Sequence, residues 1–283
     1  WIAADTSVSP GKPIQVVLGY EEYIKNMYKI QVEGYYKDLK NLLTYEEKRS
    51  TTDAPVSDES LANIVTPADG YAYGFELFGQ KMSGKLSGWV AYTYSVSRKI
   101  MNSIYADGEQ EYYTNWDRTH AFSVLGNYQF NKKWETNWRF ALQSGQAYTP
   151  IMGYYVQKFP ESPEELFRTI PGTRNSGRYE PYSRLDIGAV YHAKIGKTNV
   201  DFFFQIINTL NRSNTFRKIY SLGSPYNGLD DDGDWDKDLH DTNGNGRADP
   251  GETNVDESDE GKINERSIGL FPILPTFGFT WEF

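Results

Sequence analysis

The 283-residue sequence has no cysteine, so disulfides, thiolate metal sites and a Cys nucleophile are all excluded. It also has no run approaching the roughly 20 apolar residues of a spanning helix, and its mean hydropathy is -0.64. Basic residues are outnumbered, 29 Lys and Arg against 38 Asp and Glu. The resulting net charge of -9 argues against nucleic acid as a partner, because phosphate binding needs clustered Lys and Arg. Histidine is scarce, and no spacing joins any two of His120, His192 and His240 into a metal site. The opening Trp1-Ile2-Ala3-Ala4-Asp5 lacks the basic start, apolar run and small-residue cleavage site of a signal peptide. The expectation is a removed signal, or a sequence that begins within a larger protein.

Aromatic residues, by contrast, are abundant: 22 Tyr, 15 Phe and 7 Trp make up 16% of the chain. At the C-terminal end Phe277, Phe279, Trp281 and Phe283 alternate with Gly278, Thr280 and Glu282, placing four aromatics on one face of a strand. A barrel in a membrane needs apolar side chains only at alternate positions, with aromatics at the two interfaces. Low mean hydropathy and high aromatic content then belong together.

Period-two alternation recurs along the chain. It runs through Ile14, Val16, Leu18 and Tyr20, then Tyr28 to Tyr36, 71–82, 86–97, Phe122 to Phe130, Trp134 to Leu142, 183–194, and 198 to about 216. With the terminal strand this predicts about nine strands. Tight turns near 25, 84, 131 and 196 alternate with long segments at about 47–69, 102–114, 149–179 and 219–267. Short turns on one side and long loops on the other define an outer-membrane barrel, turns periplasmic and loops outside. The fold class expected is an all-β transmembrane antiparallel β-barrel. An odd strand count conflicts with both ends lying in the periplasm, so residues 1–283 are expected to form the C-terminal portion of a larger barrel.

Several segments carry a family resemblance: Val32-Glu33-Gly34-Tyr35-Tyr36-Lys37-Asp38, Gly70-Tyr71-Ala72-Tyr73-Gly74-Phe75-Glu76-Leu77, and Leu86-Ser87-Gly88-Trp89-Val90-Ala91-Tyr92. Others are Asp117-Arg118-Thr119-His120, Ser144-Gly145-Gln146-Ala147-Tyr148-Thr149-Pro150, Tyr182-Ser183-Arg184-Leu185-Asp186 and Ile206-Ile207-Asn208-Thr209-Leu210-Asn211-Arg212. In order and spacing they resemble the C-terminal half of the barrel of TonB-dependent receptors, especially those of Bacteroidota. The resemblance implies a barrel of about 22 strands, occluded by an N-terminal plug, that imports a scarce nutrient with energy transmitted by TonB. It further implies an outer-membrane location in a Gram-negative bacterium, with loops extracellular and the C-terminus periplasmic. The implied partners are outer-membrane lipid, the TonB system acting through a plug outside these residues, a surface lipoprotein, and a small nutrient ligand.

Residues 222–267 read as an acidic extracellular loop insertion. Within it, Asp241-Thr242-Asn243-Gly244-Asn245-Gly246-Arg247-Ala248-Asp249-Pro250-Gly251-Glu252 fits the calcium-loop pattern at every specified position. Oxygen ligands would come from Asp241, Asn243, Asn245, Asp249 and Glu252, with the Arg247 carbonyl between them. Asp230, Asp232, Asp234 and Asp238 form a preceding array that shares Asp241 and has Trp235 where glycine is preferred. Structural calcium is the expected cofactor; a solvated acidic loop is the plainer alternative.

No catalytic residues are expected, and the chain is not expected to be an enzyme. Inward polar residues such as Glu33, Glu76, Glu135, Arg139, Asp201 and Gln205 are what a barrel lumen presents in any case. Tyr112, Tyr113, Trp116, Tyr154 and Tyr155 are placed to stack on a sugar or siderophore, or to act as interface anchors. Two other functions come from different classes. One is a calcium-dependent surface anchor or adhesin, and the other a small outer-membrane lipid hydrolase with His120 as its only plausible base.

Overall fold

The structure, a computed structural model, describes residues 10–45, 65–102, 109–159, 162–196, 198–222, 236–247 and 263–282. The chain runs through β1 (Lys12–Ile24), β2 (Tyr28–Tyr45), β3 (Val65–Lys81), β4 (Leu86–Asn102), β5 (Glu109–Tyr113), β6 (His120–Gln129), β7 (Trp134–Gln143) and β8 (Ala147–Tyr148). It continues through β9 (Ile151–Phe159), β10 (Ser162–Pro171), β11 (Gly177–Arg178), β12 (Tyr182–Ile195), β13 (Thr198–Ile207) and β14 (Thr215–Leu222). The last elements are a single helical turn, α1 (Lys237–His240), then β15 (Ile263–Gly269) and β16 (Leu274–Glu282).

A ten-stranded antiparallel sheet dominates, in the order β1-β2-β3-β4-β6-β7-β12-β13-β16, with β5 paired to the end of β4. The nine strands on this path are the nine expected from alternation. They are joined in sequence by tight turns at Lys25–Met27, 82–85, 130–133 and Gly196, with the longer connections at the other end. Lys25 and Asn26 take φ of 51° and 52° to make the first turn. The sheet therefore meanders, each strand lying beside its neighbour in sequence apart from the excursions at the long-connection end.

The chain divides into two compact units. One contains this sheet, built from residues 1–150, 172–214 and 270–283. The second, 151–171 and 215–269, contains two hairpins, β9 with β10 and β14 with β15. Two expectations change here. Segments 149–179 and 219–267, expected as long loops, contain strands: the first holds the β9–β10 hairpin, and 219–222 and 263–267 belong to β14 and β15. The penultimate long strand stops at Ile207 instead of about 216, because Asn208 turns into the left-handed region at φ 53°.

The register explains why alternation was so regular. Tyr20, Val32, Leu77, Tyr92, Phe122 and Leu142 stand directly opposite one another across six strands. Trp134, Tyr191, Phe202 and Phe279 continue the same face across the remaining strands. One residue along, Glu33, Glu76, Thr93, Ala121, Gln143 and Tyr182 line up on the opposite face. The sheet thus has an apolar face and a predominantly polar one, the latter also carrying Phe78, Trp89, Leu125 and Phe203.

Much of the apolar face is uncovered. Leu18 is 81% exposed, Phe277 87% and Phe279 63%, and Phe202, Phe204 and Ile187 are exposed as well. Burying such a side chain stabilises by about 1.5–3 kcal/mol. These six residues alone, already partly covered, therefore favour a non-aqueous neighbour by roughly 5–10 kcal/mol. Aromatic pairs mark both ends of the face. Tyr128 packs on Phe130 and Trp134 on Tyr191 at the short-turn end, with ring centroids 4.8 Å and 4.7 Å apart. Tyr92 and Tyr94 gather around His120 at the other. Gly126 makes room for the Trp138 indole, since a Cβ there would overlap the ring.

Candidate functional site

At the long-connection end the polar face carries a dense layer of charged and amide side chains. Asp117 lies at its centre, only 1% exposed. Its Oδ1 accepts the Ser97 N–H at 2.7 Å, and its Oδ2 accepts from Arg178 Nη2 at 2.6 Å. Arg178 also donates from Nη1 to the carbonyls of Asp117 and Gly145 at 2.9 Å and 3.2 Å. The Tyr113 ring carries two guanidinium groups, Arg98 at 3.5 Å and Arg178 at 4.3 Å from its centroid. Residue 145 must be glycine for this layer to close, because a Cβ would run into the Tyr179 carbonyl.

A second clamp sits where β12 and β13 reach the same end. Asp186 Oδ1 accepts from Arg184 Nε at 2.7 Å and from the Asn208 N–H at 2.9 Å. The Asn208 side-chain amide then donates to the carbonyls of Arg212 and Phe271, each at 3.0 Å. Asn214 pairs with both main-chain groups of Ser183, accepting its N–H at 2.8 Å and donating to its carbonyl at 2.9 Å. Such amides replace a strand neighbour where the ladder ends, and so satisfy buried backbone groups.

The motif segments of the sequence therefore act first as clamps. Asp117, Gly145, Asp186 and Asn208 hold the connections onto the sheet. Between the two clamps lies a cavity of about 300 Å³ with Ala141 on its lining and Arg118, Arg139 and Arg184 around it. Arg118 donates to Gln143 and, at 3.4 Å, to Gln146 Oε1. Among the described residues the Arg139 side chain makes no hydrogen bond or ion pair, and it stands directly across from Asp186 in the β7–β12 register. Arg139 was expected to point inward; its company of Arg118 and Arg184 was not legible, although the register of 134–143 against 182–191 would have paired it with Asp186.

The other expected residues are distributed as follows. Glu33, Glu76, Asp201 and Gln205 lie on the polar face. His192, read as an isolated strand residue, contacts two carboxylates: Nδ1 is 2.8 Å from Asp201 Oδ1 and Nε2 is 3.9 Å from Glu135 Oε2. His120 Nδ1 is 2.8 Å from the Tyr92 hydroxyl, while Ser144 Oγ engages the His120 main chain. Of the rim aromatics, Tyr112 is buried against Ala68 and Met101 and carries the Arg174 guanidinium at 4.6 Å. Trp116 is 62% exposed, with Lys99 Nζ 5.6 Å from its ring centroid. Tyr155 is exposed in the second unit, and the Tyr154 side chain lies outside the described residues.

Half of the expected calcium ligands, Asp230, Asp232, Asp234, Asp249 and Glu252, lie outside the described residues. The described half forms a tight coil of side-chain to backbone hydrogen bonds. Asp241 Oδ1 accepts from Gly244 N–H at 2.6 Å and Oδ2 from Gly246 N–H at 2.7 Å. Asn243 and Asn245 each accept from the N–H two residues on, at 3.0 Å and 2.8 Å. Gly246 takes φ 75°, the bend assigned to it from sequence. These bonds, the Gly246 one foremost, hold the Asp241 carboxyl below its ordinary value. Asp238 lies in α1, where its N–H is held by Asp236 Oδ1 at 2.8 Å. Among the described residues no three His, Asp or Glu side chains gather as a metal-binding group.

Compared with known proteins, no family model and no curated protein matches the chain. Among solved structures it is similar to the FrpB iron transporter from Neisseria meningitidis (F3-3 variant), with 16% identity and a TM-score of 0.47. The match covers 75% of this chain and 28% of that one, so the chain spans just over a quarter of the transporter.

Proposed function

We propose that this chain forms part of the wall and outer loops of a transmembrane β-barrel in a bacterial outer membrane, which takes up a small nutrient by a TonB-dependent route. One observation carries the reading: the alternating register gives the nine principal strands one continuous apolar, aromatic-ended face, much of it uncovered, and gathers the charged side chains on the other. A water-soluble sheet with one charged face covers the other with a second layer. A barrel wall leaves it to lipid, with aromatic belts at the two interfaces.

Two further features support it. Among the described residues the outer edges of β1 and β16 have no strand partner, and each would carry a row of unsatisfied N–H and C=O groups into hydrocarbon, at several kcal/mol per group. Pairing with further strands removes that cost, as in a barrel larger than these residues build. The tight turns all lie at one end and the long connections, with the clamped polar layer, at the other, which suits a loop face that meets a ligand. Calcium in the 241–252 loop belongs to the same reading as a structural ion of the outer surface, resting on the ligand pattern and an all-oxygen donor set.

The test is uptake. Deleting the gene that encodes the chain should abolish high-affinity acquisition of one nutrient class in a panel growth assay, and a strain deficient in TonB should show the same loss. Normal uptake of every nutrient after the deletion would overturn the proposal.

A further inference from the structure

We infer that the cavity between Arg118, Arg139 and Arg184 is a binding site for a small oxyanion, a carboxylate or phosphate group carried by a soluble ligand.

The charge balance is the first argument. Around a space of about 300 Å³ stand three guanidinium groups and one carboxylate, Asp186, which leaves a net charge of +2. The carboxylate accepts from Arg184 at 2.7 Å and from the Asn208 N–H at 2.9 Å, and Arg139 stands across from it, so one acid serves two of the three guanidinium groups. The other nearby acid of the layer, Asp117, is taken by Arg178 at 2.6 Å. Arg118 has only the neutral amides of Gln143 and Gln146 as hydrogen-bond partners among the described residues. Arg139 has none. Three guanidinium groups around a single carboxylate keep an excess of positive charge, and an anion between them relieves their mutual repulsion.

The shape is the second. Arg139 and Ala141 alternate along β7 on one face, and Ala141 stands opposite Arg184 in the register while Arg139 stands opposite Asp186. A small residue between long cationic ones leaves a hollow of the polar face into which an oxyanion fits. Guanidinium offers paired N–H donors that match carboxylate and phosphate oxygens. A neutral sugar would satisfy the hydrogen bonds and leave the charge uncompensated, and a metal cation is repelled outright. Trp116, exposed beside Lys99, lies outside this lining and has no part in the inference.

Physiologically the inference rests on the barrel reading, which makes the polar face the luminal one, but anion binding is measurable without transport. The full polypeptide, purified from outer membranes in detergent, is titrated with inorganic phosphate by calorimetry at low ionic strength. Saturable binding is expected, weakened about tenfold or more in Arg139→Gln, the loss of one charged hydrogen-bonding group, and unchanged in the turn variant Lys132→Gln. Arg139→Lys should retain part of the affinity. Should Arg139→Gln fail to fold, arginine-selective phenylglyoxal labelling of the unmodified protein reads the same site by peptide mass spectrometry. Arg139 should label freely in buffer and be protected by phosphate. No binding, binding indifferent to Arg139→Gln, or an Arg139 that resists labelling without added anion would overturn the inference, the last because a protein segment would then fill the cavity. Phosphate binding in a protein that supports no uptake would retain the site and sink the transport reading instead.

Discussion

Arg178 donates to Asp117 across 61 residues of sequence, at 2.6 Å, and closes the loop end of the sheet around a carboxylate that water does not reach. Removing the guanidinium strands that charge. Arg178→Ala should therefore destabilise the protein by on the order of 3 kcal/mol, and Asp117→Asn by less, because an amide can still accept the Ser97 N–H. Urea unfolding in detergent, followed by Trp fluorescence, gives both numbers; an Arg178→Ala protein as stable as its parent would refute the clamp.

Gly145 allows the neighbouring close approach. In Gly145→Ala the new methyl meets the Tyr179 carbonyl, so the Gln146–Tyr179 hydrogen bond of 3.0 Å must shift. The expected cost is about 1–3 kcal/mol, visible in the same unfolding experiment. It should come with faster hydrogen exchange in peptides covering 143–150 and 172–182 and no change at the short turns.

The Asp241 loop should respond to acid in a defined direction. Its carboxyl titrates below the ordinary 3.8, chiefly through the Gly246 N–H. The contribution of its hydrogen bonds is therefore complete above that ordinary value and declines below it, and is lost once pH falls through the depressed folded value. Hydrogen exchange of the peptide 236–247, corrected for intrinsic rates, should show constant protection from pH 7 to about 4 and loss below. Asp241→Ala should lack protection at every pH, and protection indifferent to pH in the unmodified chain would refute the assignment.

Calcium provides a separate test of that loop. Titration of the full protein with millimolar calcium should release or absorb heat in a saturable manner, and Asp241→Ala should eliminate the signal. Heat unaffected by Asp241→Ala would place any calcium elsewhere, and no heat at all would leave the loop a solvated acidic segment.

The strands were legible in the sequence because each principal strand has one apolar face, and alternation such as Trp134, Thr136, Trp138, Phe140, Leu142 can be read without knowing any partner. The hairpin β9–β10 is not legible in the sequence because Ile151-Met152-Gly153-Tyr154-Tyr155-Val156 breaks alternation and Pro163 and Pro171 suggest loop. The site was legible only as separate pieces. Asp117-Arg118 and Ser144-Gly145 stand out as motif segments, but their joint role depends on Arg178, far along the chain and outside every motif. His192 and Asp201 could have been paired by counting back from the turn at Gly196, whereas Arg118 reaches the cavity from a connection whose course alternation does not encode.

The central claim is that the apolar face meets lipid while the other faces water. The absence of cysteine from the chain makes the test clean, since single cysteines carrying a nitroxide label can be placed at successive positions 202–206 of β13 and the protein reconstituted in bilayers. Labels at Phe202, Phe204 and Ile206 should collide with dissolved oxygen, and those at Phe203 and Gln205 with a water-soluble nickel chelate, in strict period two. Uniform access of the nickel chelate to all five positions, or the opposite phase, would contradict the account.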